Sequence, residues 1–344
     1  MMKRGLKAAL WAGLALGVMA CARERAAIAA PEPGWSLAVP EGFPMPPIPE
    51  DNLLTEERVA LGRSLFYDPV LSRDSTVACA SCHRQAWAFA DNRPTSPGVE
   101  GRPGLRNSPS LANVAYQQRL LREGGVPTLE MQVLVPIQEH NEFDFNILLI
   151  AERLRALPHY AELAQAAYQR EPDAFVITRA LAAFQRTLLS GDSPFDRYAY
   201  AGEAEAVSAS ALRGYALFNS ERLGCASCHN GFLFTNQGFA NNGLYLHYTD
   251  PGRRRLTGRP EDEGVFKIPS LRNVAVTGPY MHDGSLATLT EVVDHYAGGG
   301  FAHPNRSPLL RPFQLTAEER EDLLRFLESL TDEALLRNPA FGNE

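Results

Sequence analysis

Two identical pentapeptides, Cys79-Ala-Ser-Cys82-His83 and Cys225-Ala-Ser-Cys228-His229, constrain this chain more than anything else in it. Cys-x-x-Cys-His is the pattern of covalent haem attachment. The two thiols form thioethers with the porphyrin vinyl groups, and the His that follows turns back to ligate the iron. Competing uses of paired cysteines fit poorly. A redox dithiol needs no His immediately after it, let alone twice. A disulfide between residues three apart is strained and closes a trivial loop. A zinc centre built from four thiolates sits badly with a chain that opens on an export signal. The motifs therefore predict two covalently bound c-type haems, with His83 and His229 as iron ligands.

The sequence around the motifs repeats itself. Gly62-x-x-Leu65-Phe66 precedes the first and Gly214-x-x-Leu217-Phe218 the second. Pro109-Ser-Leu-Ala-Asn-Val-Ala115 follows the first and Pro269-Ser-Leu-Arg-Asn-Val-Ala275 the second. Each half reads as helix, haem motif, loop and shared segment. The expected fold is mainly α: two cytochrome c-like helical domains, each wrapped round one haem, with few short β-strands. A first haem domain is expected over residues 51–195 and a second over 196–335. A linker at 21–50 precedes them, a tail at 336–344 follows, and the boundary falls near Gly191–Ser208, where the helical pattern lapses. Thr55 followed by Glu56 and Glu57 caps a helix running through Phe66. Residues 146–168 have helical periodicity broken at Pro158, and Ala174–Ser190 forms a cleaner amphipathic helix. Thr316-x-x-Glu319 is a capping box ahead of a closing helix. Pro31–Pro49 and Asn92–Pro109 read as loops.

At the start of the chain, Lys3, Arg4 and Lys7 precede an uncharged apolar run, Ala8–Ala20, too short to span a bilayer. Residues 1–20 are an export signal and take no part in the fold. The segment ends Val18-Met19-Ala20-Cys21, which looks like the lipobox of a bacterial lipoprotein, with Cys21 as the lipidated residue. Ordinary cleavage after Ile28-Ala29-Ala30 is the alternative. Either way the protein is expected outside the cytoplasm, in the periplasm, and lipidation at Cys21 would be its only membrane contact. The chain holds 33 basic and 40 acidic residues, a formal net charge of −7. Loss of the leader makes it more acidic still. That argues against nucleic acid, which needs a basic face, and leaves a basic protein partner or electron donor open.

With both motifs and the repeats in view, the chain resembles the di-haem cytochrome c peroxidase and MauG family over nearly all of its mature length. It is most similar to the MbnH-type branch, through Ala60-Leu-Gly-Arg-Ser-Leu-Phe-Tyr67, Ser193-Pro-Phe-Asp-Arg-Tyr-Ala-Tyr200, Thr257-Gly-Arg-Pro-Glu-Asp262 and Pro279-Tyr-Met-His-Asp-Gly284. The resemblance implies a peroxide-reactive first haem and an electron-transfer second haem. It puts Tyr296 where these proteins carry a Met or Tyr ligand to the second iron; a phenolate stabilises oxidised iron and helps a high-valent state accumulate. Tyr296 also reads as a core aromatic of its helix, and His295 or Met281 offers an alternative ligand. Gln132, Pro136 and Glu142 match the open distal pocket of the first haem. Peroxide cleavage needs a group that takes one proton and returns it, and Glu142 is the candidate. Glu139 and His140 lie in the same polar stretch. The resemblance also implies a calcium ion between the haems, held by Asn107, Thr277 and Pro279 through oxygen atoms; Asn107 equally suits bracing its own loop.

One departure stands out. Where the family has a charge-relaying Trp between the haems, alignment through Arg106-Asn-Ser-Pro109 puts Arg122. The Trp residues beyond the leader, Trp35 and Trp87, do not match that position. Trp87 reads as packing, and the departure leaves three expectations for communication between the haems: slower transfer, a path through Tyr116, or its loss. The leading functional expectation is an oxidase that uses hydrogen peroxide to form a high-valent haem state and oxidise a partner protein. The specific case implied is conversion of a Trp to kynurenine on a copper-binding partner. The first alternative is a peroxide-scavenging peroxidase fed electrons by a small redox protein, chemistry that usually pairs with a Met-ligated second haem. The second is a di-haem electron carrier, which needs a sixth ligand on the first haem from His140, His159 or His247.

Overall fold

The computed structural model describes residues 36–343; the expected export signal, Cys21 and Trp35 lie outside them. The described residues form one compact unit, mostly helical. In the first half the helices are α1 (Glu56–Tyr67), α2 (Cys79–Cys82), α3 (Leu129–Gln132), α4 (Leu134–Gln138), α5 (Ile147–Arg155), α6 (Pro158–Tyr168) and α7 (Ala174–Thr187). After these come α8 (Pro194–Ala199), α9 (Ala209–Phe218), α10 (Arg254–Thr257), α11 (Leu289–Ala297), α12 (Ala317–Glu328) and α13 (Glu333–Arg337). A two-stranded antiparallel sheet pairs β1 (Phe239–Ala240) with β2 (Phe266–Lys267). None of the described helices is long and apolar enough to cross a membrane.

The helix starts follow from local chemistry. Thr55, Asp173, Ser208 and Thr316 each accept a bond from an orphan amide of the first turn. Thr316 and Glu319 cap reciprocally, as their spacing predicts. Pro158 breaks the 146–168 pattern by opening α6 at its first position, where its missing N–H costs nothing. The expected lapse at 191–208 is only partial. Ser193 and Asp196 form a capping box and Pro194 opens the short helix α8. Asp196 then forms a bidentate pair, at 2.7 and 2.8 Å, with Arg272 in the core.

The sequence repeat becomes a packing repeat. Gly62 lets α1 approach α7 so closely that an added Cβ would lie 1.9 Å from the Ala180 carbonyl oxygen. Gly214 does the same for α9 on α12, where a Cβ would lie 1.9 Å from the Asp322 oxygen. Beside each crossing sits an aromatic trio. Phe66 packs on Phe184 at 5.2 Å and on Phe89 at 6.1 Å; Phe218 packs on Phe326 at 5.1 Å and on Phe234 at 6.3 Å. These trios anchor two separate hydrophobic cores, one drawn from Leu61 to Leu188 and one from Phe195 to Leu330. The end of the chain returns to the first core: Leu335 packs into it, and Tyr67 Oη donates to the Phe341 carbonyl at 2.6 Å.

The shared Pro-Ser-Leu-x-Asn-Val-Ala segments meet at the junction. Asn113 and Asn273 both adopt φ of +60°, which Asn tolerates better than most residues. Asn113 exchanges two bonds with the Ser190 backbone, and Asn273 Nδ2 donates to Ser190 Oγ at 2.9 Å. Asp332 closes the knot, accepting from Ser190 Oγ and from the amides of Gly191 and Asp192.

Candidate functional site

Both Cys-x-x-Cys-His segments line one continuous cavity. In the first half, α2 is a single turn whose Cys79 carbonyl accepts the His83 amide at 3.0 Å, turning the imidazole inward. His83 Nδ1 then donates to the Phe89 carbonyl at 2.8 Å. That carbonyl is aimed by two consecutive left-handed residues, Ala88 at φ +50° and Phe89 at φ +58°. In the second half His229 Nδ1 donates to the Phe234 carbonyl at 3.1 Å, and Phe234 is also left-handed at φ +50°. Burial lowers both imidazole pKa values, favouring the neutral ring. A neutral ring with Nδ1 engaged leaves the Nε2 lone pair free for a metal. Burial also pushes the thiols up, Cys79 to about 12 and Cys225 to about 11, so they stay neutral among apolar neighbours.

Those neighbours include Phe66, Leu71, Leu111 and Leu181 by the first motif and Phe218, Leu223, Leu289 and Val293 by the second. An apolar cavity with two thiols and one oriented imidazole at each end of the repeat fits a thioether-anchored haem in each half. Phe89 and Phe234 were not singled out in the sequence. Each follows its haem-motif His by a few residues, and the repetition of an aromatic there is the signal that was available.

Gln132, Pro136 and Glu142 line the same cavity as Cys79, Cys82 and His83. They arrive on α3, α4 and the loop after α4, which closes back on the helix through Phe143 N donating to the Pro136 carbonyl. Gly98 permits that closure: a Cβ there would meet the Asn141 oxygen at 2.1 Å. Burial raises the Glu142 pKa to about 7, with the neighbouring Glu139 adding to the effect. Its charge is felt by both Cys79 and Cys82. His140 faces outward instead, bonded to Arg102 and Asp144. His140, His159 and His247 are exposed and none lines the cavity.

Tyr296, on α11, lines the cavity together with Cys225, Cys228 and His229. Burial raises its phenol pKa, and a hydrogen bond with Asn242 pulls it partly back. His295 turns aside and engages the Asn242 carbonyl through Nε2 at 3.0 Å. Met281 does line the cavity, and its sulfur accepts from Asn242 Nδ2 at 3.2 Å. Asn107, Thr277, Pro279 and Arg122 line it as well. Trp87 sits in a short 3-10 turn, not an α-helix, and does not line the cavity; Tyr116 packs on Phe43 and Phe232 in a small separate cluster.

Sequence reasoning missed the polar and aromatic surroundings of Arg122. Arg106 pairs with Asp250 at 2.6 Å and with buried Glu123, which also binds Arg255. His282 stacks on Phe266 with ring centres 4.1 Å apart, and Tyr245 donates to Asp283 at 2.6 Å. These contacts join residues far apart in the chain, so no local pattern announces them.

Comparison with known proteins agrees with this architecture. The sequence model of the di-haem cytochrome c peroxidase family matches residues 56–205. The methylamine utilization protein MauG of Methylorubrum extorquens is 41% identical over 292 residues, covering 83% of this chain and 82% of that protein. The cytochrome c551 peroxidase of Pseudomonas aeruginosa is 33% identical over 301 residues, covering 83% of each chain. A crystal structure of a MauG-like protein associated with microbial copper homeostasis superposes with a TM-score of 0.85 at 37% identity, over 90% of this chain and 99% of that one. With a duplicated haem-binding geometry and relatives matched along most of its length, the chain belongs to the di-haem cytochrome c peroxidase and MauG family, oxidoreductases built round two c-type haems.

Proposed function

We propose that this protein is a periplasmic oxidase that reduces hydrogen peroxide at its first haem site and draws the electrons from a partner protein. The observation that carries this reading is Glu142, a carboxyl near pKa 7 in the cavity by the first Cys pair. Cys79, Cys82 and His83, and Cys225, Cys228 and His229, would each hold one haem, and the haems would supply the redox chemistry between partner and peroxide. Peroxide, two protons and two electrons yield two waters. The Glu142 carboxylate takes a proton from one peroxide oxygen and returns it to the other as that oxygen leaves. A pKa about equal to the working pH suits a group that must do both. The Gln132 carboxamide offers a hydrogen bond to peroxide in the cavity, and Pro136, lacking an N–H, forms an inert wall.

At the second site, Tyr296 and His229 are the residues that would hold the iron, both lining the cavity by the second Cys pair. His295 already spends its Nε2 on a backbone carbonyl, and the Met281 sulfur accepts from Asn242. The Asn107 side-chain oxygen, which the resemblance assigns to calcium, accepts from Arg122 Nη2 at 2.6 Å. We take residues 51–195 and 196–335 as the two haem domains, and Cys21 as the lipid-bearing first residue of the mature chain. A Cys21→Ser variant should then leave the protein in the soluble fraction.

The specific reaction proposed is oxidation of a Trp on a copper-binding partner to kynurenine: two peroxide turnovers withdraw four electrons as two oxygen atoms add across the indole C2–C3 bond to give N-formylkynurenine, and hydrolysis then releases the C2 carbon as formate. Similarity to a MauG-like protein associated with microbial copper homeostasis supports it, as does Tyr296. The test is to incubate holo-protein, peroxide and the product of the neighbouring gene, then map the partner by mass spectrometry. A partner whose Trp residues all keep their mass would sink the reading. Similarity to cytochrome c551 peroxidase, and Met281 in the cavity, favour peroxide scavenging as the second reading. Steady peroxide turnover driven by a reduced small cytochrome, without change to any partner, would select it.

A further inference from the structure

The calcium ion that the family resemblance implies would need the Asn107 side-chain oxygen and the Thr277 and Pro279 carbonyls. The residues present do not fit it. Arg122 Nη2 donates to Asn107 Oδ1 at 2.6 Å and to the Asn107 backbone oxygen at 3.0 Å. Arg122 Nε reaches the same backbone oxygen at 3.2 Å. The side-chain oxygen required by the metal is already spent on a cation. Its orientation is held from the other side too, because Asn107 Nδ2 donates to the Arg93 carbonyl at 3.1 Å. Turning the amide over would break both bonds.

The surroundings point the same way. Lys267 lies close by, its pKa depressed by desolvation first and by the Arg122 charge second, and its amide donates to the Arg122 carbonyl at 2.7 Å. Arg106 acts on Arg122 as a second like charge. The nearby carboxylates are engaged: Glu123 by Arg106 and Arg255, Asp250 by Arg106, Asp283 by Tyr245. A calcium ion would thus meet neutral oxygen donors, one of them already held by Arg122, with no carboxylate among them, whereas it prefers carboxylates. Like charges repel most where water is scarce. Burial lowers the Arg122 pKa only to about 10, so the guanidinium stays charged at neutral pH.

We propose that the Arg122 guanidinium is a built-in replacement for the metal ion at this junction, and that the holo-protein binds no calcium there. Arg122 performs the bridging. Its backbone pairs with β2, while its guanidinium holds Asn107, whose amide donates to the His282 carbonyl at 2.9 Å. The proposal does not depend on what the haems oxidise.

The test uses holo-protein with both haems attached, exchanged into EGTA or into excess calcium. Elemental analysis and thermal unfolding are the readouts. The wild type should carry far less than one calcium per chain, with Tm and haem spectrum the same in both buffers. One calcium per chain, stripped by EGTA with a fall in Tm, would overturn the proposal. Arg122→Gln frees the Asn107 oxygen and should gain calcium binding, seen as a rise in Tm of about 5 °C at roughly 100 times Kd. A folded Arg122→Gln protein that still ignores calcium would also overturn it. Should that variant not fold, the wild-type calcium content decides alone.

Discussion

Glu142 carries a pKa of about 7 because burial penalises its charge and Glu139 adds to the penalty. Asp144, two residues on, is held below the usual carboxylate range by its hydrogen bond from Arg102. Two acids in one short stretch thus acquire opposite properties from their partners. As the base toward peroxide, Glu142 must be ionised, and its pKa lies above that of a free carboxylate. The rate constant for reaction with peroxide should therefore be low below pH 7, rise through about pH 7 and level off above it. Glu142→Gln should remove that inflection and slow the reaction by about 10²–10⁴-fold. Stopped-flow mixing across a pH series reads both; an unchanged profile in the variant would discard the assignment. In the sequence Glu142 was distinguishable from Glu139 only through family resemblance, since nothing local says which acid of Gln138–Asp144 faces inward. The cysteines and histidines of the haem motifs needed no such help, because covalent attachment demands a fixed local spacing.

Helix pairs α1–α7 and α9–α12 owe their closeness to Gly62 and Gly214. A methyl group at either position would press on the backbone of the opposing helix, which has no rotamer to give way. Gly214→Ala should cost about 1–3 kcal/mol or more, the range for overpacking a tight core. It should also displace the Phe218–Phe326–Phe234 trio, which carries the carbonyl orienting His229. The expected result is a lower Tm together with a changed spectrum of one haem; a variant with wild-type Tm would contradict the packing argument. α1, α7 and α12 were legible from caps and 3.6-residue periodicity, which are local signals. α2, α3 and α4 were not, being single turns. An isolated turn is unstable, and only packing in the cavity wall holds these. α8 carried its signature in Ser193-Pro-Phe-Asp196 but lay in a stretch read as a boundary.

Across the whole molecule, the two halves are tied through Ser190, which bonds to Asn113 on one side and Asn273 on the other. Removing either buried partner should cost about 1–3 kcal/mol through stranded polar groups. Because Asn113→Ala and Asn273→Ala disturb the same residue, their effects should not add; a coupling of about 0.5–3 kcal/mol is expected in a double-mutant cycle followed by thermal unfolding. Strict additivity would mean that the junction is not one network. Equivalent positions of a repeat predicted this relation only in outline: both Asn residues were visible as repeated letters, while Ser190 between them was not. The C-terminal return of Leu335 and Phe341 to the first core was likewise invisible in a sequence that seemed to end with its second unit. The sequence alone determined the cofactor chemistry, the duplication and the principal helices, because each depends on residues within a few positions of one another. The tertiary structure alone decided which acid has its pKa raised, which carbonyl orients each His and which cation holds Asn107, because desolvation and charge pairing depend on residues brought together from distant parts of the chain.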